Sequence, residues 1–518
     1  MEFRRASGVL LHPTSLPGRF GCGDLGPGAY AFLDFLNQSK QSIWQVLPLG
    51  PTGYGDSPYQ VLSSFAGNPL LISCDRLLEE GLLSPADLAE MPTFPTERVD
   101  YGRLIPFKKR MLRRSFLRFN TAADAPLHAA FERFCEEHAG WLEDFALFMA
   151  LKDAHGGAPW YAWEAELVAR RPEALRDWRR TLREECTFHQ YLQFLFFRQW
   201  QALKAEANRR GIRIVGDLPI FVAHDSADVW THPELFQLDE RGMPTVVAGV
   251  PPDYFSATGQ LWGNPIYRWE VLREQGYAWW IARVRATLTL VDCVRLDHFR
   301  GFEAYWEVPA GEKTAIPGRW VKGPGAELLH AIRAALQRPR LPIIAEDLGV
   351  ITPEVVALRE QFELPGMKVL QFAFGGGRLE HMDPPYRYPR NCVVYTGTHD
   401  NDTTLGWFRR SALPGERALA LRYTGSDGRE FHWDFIRLAL SSVADTAIIP
   451  MQDILGLDSD ARMNYPGREG GNWAWRCPPD ALTREEPIRR LADMTEIYGR
   501  APIRAATQPG ETPTQSAQ

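Results

Sequence analysis

Eight short β-branched or apolar runs, each ending in polar or charged residues and separated by helix-like sequence, constrain this chain more than any other feature. They cover 9–12, 43–47, 212–217, 291–297, 342–346, 367–372, 392–399 and 447–452. Strands that alternate with helices pair in parallel, and eight of them favour a closed barrel over an open sheet. The expected class is α/β, a (β/α)8 TIM barrel over 1–505 whose active face lies at the C-terminal ends of the strands. The chain has 518 residues, and a bare barrel needs roughly 250, so inserted subdomains are expected. Segment 50–205 reads as a mostly helical one between the second and third strands, with helical patterns over 129–138 and 141–151. Segment 223–280, rich in Gly, Pro and aromatics, reads as a loop-rich one between the third and fourth. A last helix is expected near 484–499, and the 506–518 tail, dense in Thr, Pro, Gln and Ser, is expected to be disordered.

Composition narrows the function. No stretch approaches the ~20 uninterrupted apolar residues of a membrane span, and the opening apolar run from Gly8 to Leu11 is shorter than a signal-peptide core. A cytoplasmic location without membrane attachment is therefore expected. The seven cysteines are odd in number, scattered and free of any C-x-x-C pair, which points to reduced thiols and no zinc site. A net charge of −6 argues against nucleic-acid binding, although Lys108, Lys109, Arg110, Arg113, Arg114 and Arg118 form a local basic segment. Interleaved with Phe107, Met111, Leu112, Phe116 and Leu117, it reads as an amphipathic helix with a solvated basic face.

Three acidic residues finish different strand runs: Asp297 in Val294-Arg295-Leu296-Asp297-His298, Glu346 in Ala345-Glu346-Asp347, and Asp400 in His399-Asp400-Asn401. A single Asp there could simply cap a helix. Three carboxylates converging on a barrel mouth suit glycoside chemistry, which needs a nucleophile, an acid/base and stabilisation of an oxocarbenium-like transition state. Arg295 precedes Asp297 by two, so both side chains share one side of the strand, where the guanidinium keeps the carboxylate ionised. Asp217 closes another run and can organise the site. His298 and His399, each beside a key acid, are candidates for binding sugar hydroxyls.

At these residues the chain resembles the α-amylase superfamily, whose third-, fourth-, fifth- and seventh-strand motifs match Asp217, Arg295 to Asp297, Glu346, and His399 with Asp400, in order. Three further stretches narrow the resemblance to the 4-α-glucanotransferases called amylomaltase or disproportionating enzyme. They are Gly50-Pro51-Thr52-Gly53-Tyr54-Gly55-Asp56-Ser57-Pro58-Tyr59-Gln60, Gly249-Val250-Pro251-Pro252-Asp253-Tyr254-Phe255-Ser256, and Gly259-Gln260-Leu261-Trp262-Gly263-Asn264-Pro265. The resemblance implies Asp297 as nucleophile, Glu346 as acid/base and Asp400 as transition-state stabiliser, with Tyr59, Asp217, Arg295 and His399 lining the donor-sugar subsite. It implies that Asp253, Gln260, Trp262 and Asn464, on two covering loops, touch the glucan, and that Tyr54 binds glucan away from the catalytic centre. It implies transfer between α-1,4-glucans and maltooligosaccharides, with glucose as an acceptor, and neither a cofactor nor a metal. Hydrolysis of the same bond by the same carboxylates stays open as the alternative. No stretch after the barrel is long enough for the C-terminal β-sandwich of ordinary amylases.

Overall fold

The computed structural model describes residues 5–121, 124–252, 256–375, 383–468 and 470–502. Twelve strands are formed among them: β1 Ala6–Leu10, β2 Ile43–Gln45, β3 Arg213–Pro219, β4 Val246–Val250, β5 Gln260–Pro265, β6 Cys293–Asp297, β7 Ala304–Pro309, β8 Arg319–Lys322, β9 Ile343–Ala345, β10 Gly366–Val369, β11 Cys392–Tyr395 and β12 Thr446–Pro450. Eight pair in parallel in the order β10-β11-β12-β1-β2-β3-β6-β9. The ring closes between its ends, where Ala345 N–H donates to Pro365 O at 2.9 Å and Met367 N–H to the Asp347 carboxylate at 2.7 Å. The molecule is thus a (β/α)8 barrel.

All five residues of β1 and of β12 are buried. Side chains there alternate between the lumen and the surrounding helices, so both faces are apolar and the runs read as continuous rather than alternating. Gly8 is required where β1 meets β2, since a Cβ there would stand 2.4 Å from the Ile43 carbonyl oxygen. The register sets the site. Asp217 lies opposite Arg295 and Leu296 opposite Ala345, so Asp297 and Glu346 leave neighbouring strands at the same level.

Two strand runs end three or more residues short of their sequence reading. The run at 367–372 leaves the sheet at Val369 and turns into a single 3-10 turn over Leu370–Phe372. β11 stops at Tyr395 because the Asn401 side chain accepts from the backbone N–H and the hydroxyl of Thr398, both at 2.9 Å, and folds the chain into a turn. His399 and Asp400 therefore stand on a loop above the barrel.

Between β2 and β3 the chain forms helices that include Tyr101–Thr121, Ala125–Glu137, Ala139–Ala154 and the 27-residue Arg183–Arg209. The first carries the basic segment, with Lys109 paired to Asp153 and Arg118 to Asp87. Lys108 departs from the expected solvated face: it is fully buried, donates to Ile72 O at 2.6 Å and lies 3.6 Å from Asp24. Its spacing from Met111, Leu112 and Ser115, all buried, puts it on the inward stripe of the helix.

The segment expected to be loop-rich over 223–280 carries β4 and β5, which join β7 and β8 in an antiparallel sheet of order β5-β4-β7-β8. The connection after β6 thus supplies half of this sheet. The final helix is Glu485–Ile497, and the 506–518 tail lies outside the described residues. No helix among the described residues is long and apolar enough to cross a membrane.

Candidate active site

Four side chains are linked at the lumen mouth of β3 and β6. Arg295 Nη1 lies 2.7 Å from Asp217 Oδ2 and 2.9 Å from Asp297 Oδ1, and the Tyr59 hydroxyl donates to the same Asp217 oxygen at 2.8 Å. Arg295 and Asp217 are buried, whereas Asp297 keeps 28% of its side-chain surface open to the cleft. A buried guanidinium needs paired carboxylates to offset its lost hydration. Burial opposes charge on Arg295, but Asp217 and Asp297 outweigh it and hold the guanidinium firmly protonated. Burial, with Asp217 next, pushes the Tyr59 phenol well above its ordinary value, so Tyr59 remains a donor.

Glu346 follows β9 and is clamped by backbone. Its Oε2 accepts from His298 N–H at 2.7 Å and its Oε1 from Leu348 N–H at 2.9 Å. His298 reaches that position in the left-handed region, at φ 53°. Burial pushes Glu346 up to about 7, assisted by the Asp297 charge and opposed by Arg295 and the two N–H donors. Burial also raises Asp297, to about 6, against the pull of Arg295. With Arg295 at 2.9 Å and an open face, Asp297 is the member of this pair that gives up its proton first.

Across the mouth, burial works against ionising Asp400, yet His399 and Asn464 hold it far below the ordinary carboxylate range. His399 Nε2 lies 3.3 Å from Asp400 Oδ2, and Asn464 Nδ2 donates to Oδ1 at 2.7 Å. Burial likewise opposes charge on His399, but Asp400 outweighs it and raises the ring. The His399 ring stacks on Tyr59, with centroids 5.1 Å apart and planes 17° from parallel. On β5, Gln260 and Trp262 point to one side, Trp262 Nε1 donating to Gln260 Oε1 at 3.1 Å. Trp262 meets the His298 ring edge to face at 4.8 Å, which ties β5 to the residue whose N–H holds Glu346.

The site residues named from sequence fall into three groups. Tyr59, Asp217, Arg295 and Asp297 form one hydrogen-bonded set, with His399, Asp400 and Asn464 joined to it through the Tyr59–His399 stack. Glu346, Gln260 and Trp262 form a second set, joined through His298. Tyr54 stands 76% exposed on a 3-10 turn over Tyr54–Asp56 and makes no contact with either set, and Asp253 lies outside the described residues. The structure adds Met367, whose Sδ accepts from Arg295 Nε at 3.3 Å, and Trp473, whose ring packs at a tilt against Tyr59 and His399 with centroids 5.7 and 6.0 Å away. A methionine in an apolar strand carries no sequence signal. Trp473 lies beyond the last strand run, where no motif marks it. Among the described residues no group of three or more His, Cys, Asp or Glu is placed to hold a metal ion.

A family model described as 4-alpha-glucanotransferase matches residues 11–483. The 4-alpha-glucanotransferase of Synechocystis sp. is 56% identical over 500 residues, covering 96% of this chain and 98% of that protein. That of Thermus thermophilus is 56% identical over 506 residues, covering 96% and 100%. Among solved structures, the amylomaltase from Streptococcus agalactiae in complex with acarbose superposes with a TM-score of 0.92 at 41% identity, covering 96% of this chain and 100% of that one. The chain therefore belongs to the 4-alpha-glucanotransferase family.

Proposed function

We infer that this enzyme transfers α-1,4-glucan segments from one maltooligosaccharide to another, or to glucose, by a retaining double displacement. The observation that carries the reading is the division of labour between two carboxyls leaving adjacent strands. Glu346, buried and raised to about 7, retains a proton at neutral pH, while Arg295 at 2.9 Å keeps Asp297 ionised.

In the first step Asp297 attacks the anomeric carbon, the glycosidic C–O bond breaks, and Glu346 gives its proton to the departing oxygen. Asp400, held ionised by His399 and Asn464, stabilises the positive charge that develops on the sugar. In the second step a hydroxyl of an acceptor glucan attacks the same carbon, Glu346 takes its proton, and the bond to Asp297 breaks. Two inversions give retention. Tyr59, Asp217, Arg295 and His399 bind the donor sugar, Gln260 and Trp262 contact the glucan from the covering side, and Asn464 acts mainly by holding Asp400. Asp253 and Tyr54 are proposed as further glucan contacts, Tyr54 at a distance from the catalytic centre.

Transfer prevails when the intermediate meets a sugar before water, and a hundredfold preference needs only ~2.7 kcal/mol between the two barriers. Hydrolysis is the less favoured reading, since the curated relatives at 44–56% identity are named transferases. The excursions 50–205 and 223–280 work with the barrel as one catalytic unit over 1–505, and the free cysteines suit a reducing, cytoplasmic setting. Incubation with maltotriose alone tests the reaction. Longer oligosaccharides and glucose at constant total reducing ends would establish transfer, whereas rising reducing ends without longer products would make the enzyme a hydrolase.

A further inference from the structure

His12 follows β1 on the active face. It is 94% buried, at 6% relative exposure, and its Nδ1 has no protein hydrogen-bond partner. A buried imidazole nitrogen left in that state has lost its hydration with nothing to replace it, so such a group points to a ligand. The ring lines a cavity of about 30 Å³ together with His399, Asn401, Asp402, Asp453 and Arg462.

The cavity suits neither a cation nor a sugar. Asp453 already accepts from Thr396 and from both the N–H and hydroxyl of Thr404. Asp402 accepts from Thr403 N–H and from the hydroxyls of Ser411 and Ser459. Asn401 Oδ1 is taken by Thr398, and Arg462, itself cationic, binds backbone carbonyls of Asn464 and Asp400. A glucose ring cannot enter 30 Å³, but a water molecule can. Of the two histidines, His399 directs Nε2 at Asp400, which leaves its Nδ1 for another partner. Burial beside His399 holds His12 at about 3, so its ring is neutral and offers an acceptor nitrogen as well as a donor.

We propose that the cavity is a water site through which His12 binds His399 Nδ1, making His12 a positioning residue that fixes the His399 ring between Tyr59 and Asp400. The stack on Tyr59 fixes the tilt of the His399 ring and Asp400 holds its Nε2; the bridge holds the other ring nitrogen, Nδ1. Donor-sugar binding and the Asp400 contact then both depend on a residue that touches neither. This deepens the proposed reaction and rests on its reading of His399 as a donor-sugar contact.

Two measurements test it. A crystal structure at a resolution that shows ordered water is expected to place one within hydrogen-bond distance of a ring nitrogen of both His12 and His399, and clear density without that water overturns the proposal. In maltotriose disproportionation, His12→Phe keeps a flat ring but no hydrogen bond and is expected to lower kcat/KM about tenfold. His12→Gln is expected to recover most of that loss at an unchanged melting temperature. Wild-type kcat/KM in His12→Phe, or equal losses in both variants, overturns the positioning role. Failure of the parent reading is distinguishable, because His399→Asn would then retain activity while the water was still present between the wild-type rings.

Discussion

On the proposed mechanism the two carboxyls set opposite limits on pH. Asp297 must be ionised to attack, so the first step is expected to fail as pH falls through about 6. Glu346 must carry a proton to release the leaving group, so the same step is expected to fail as pH rises through about 7. A narrow bell in kcat/KM for the donor between those values is the expected outcome, read from initial rates across pH 4 to 9, and a flat profile over that range would refute the assignment. Asp297→Ala and Glu346→Gln are each expected to remove nearly all turnover, measured as glucose released from maltotriose; substantial residual activity would sink either role. Much of this constellation was legible because carboxylates and an alternating Arg at strand ends have few structural uses in such number. His12 was not: a histidine after a strand is unremarkable until its burial and missing partner are seen. Lys108 misled for the reverse reason, since its charge says outside and only the helix phase says inside.

At the level of elements, the β5-β4-β7-β8 sheet matters because it sets Trp262 against His298. An aromatic in that place can hold an acceptor glucan and exclude water, which raises the acceptor's effective concentration over solvent. Trp262→Ala is expected to lower transfer more than hydrolysis, and product analysis on maltotriose measures the ratio directly; an unchanged ratio would remove Trp262 from this role. The eight barrel runs could be read from sequence because strands buried on both faces form continuous apolar stretches. The small sheet could not. Its strands mix exposed and buried positions, and two of them return from the far side of β6. Pairing of that kind is a tertiary decision that no local pattern records.

On the scale of the whole molecule, stability and catalysis sit at opposite ends of the barrel. The proposed catalytic groups crown the C-terminal ends of the strands, while the chain's first and last described segments meet at the N-terminal ends. There Arg500, 1% exposed, donates to the carbonyls of Ala6, Leu440 and Ala444 at 2.7 to 2.9 Å, with longer contacts to Ala439, Ser442 and Asp445. Arg5 reaches the carbonyls of Leu440, Ser442, Ala444 and Tyr498 beside it. Ala439 and Leu440 lie in the last turn of the helix Phe431–Ser441 and Ser442 caps it, an end where a cation is favoured. Burial, and then the nearby charge of Arg5, push Arg500 down to about 9, which still leaves it charged at neutral pH. Arg500→Met would keep the volume but remove the guanidinium that reaches Ala6 and shares Leu440, Ser442 and Ala444 with Arg5, at a cost of roughly 3 kcal/mol. The expected result is an earlier urea midpoint with an unchanged kcat/KM for maltotriose below the transition. A loss of kcat/KM in the folded variant would mean that the two ends of the barrel are coupled, and that the clasp at Arg500 shapes the active face as well as closing the fold.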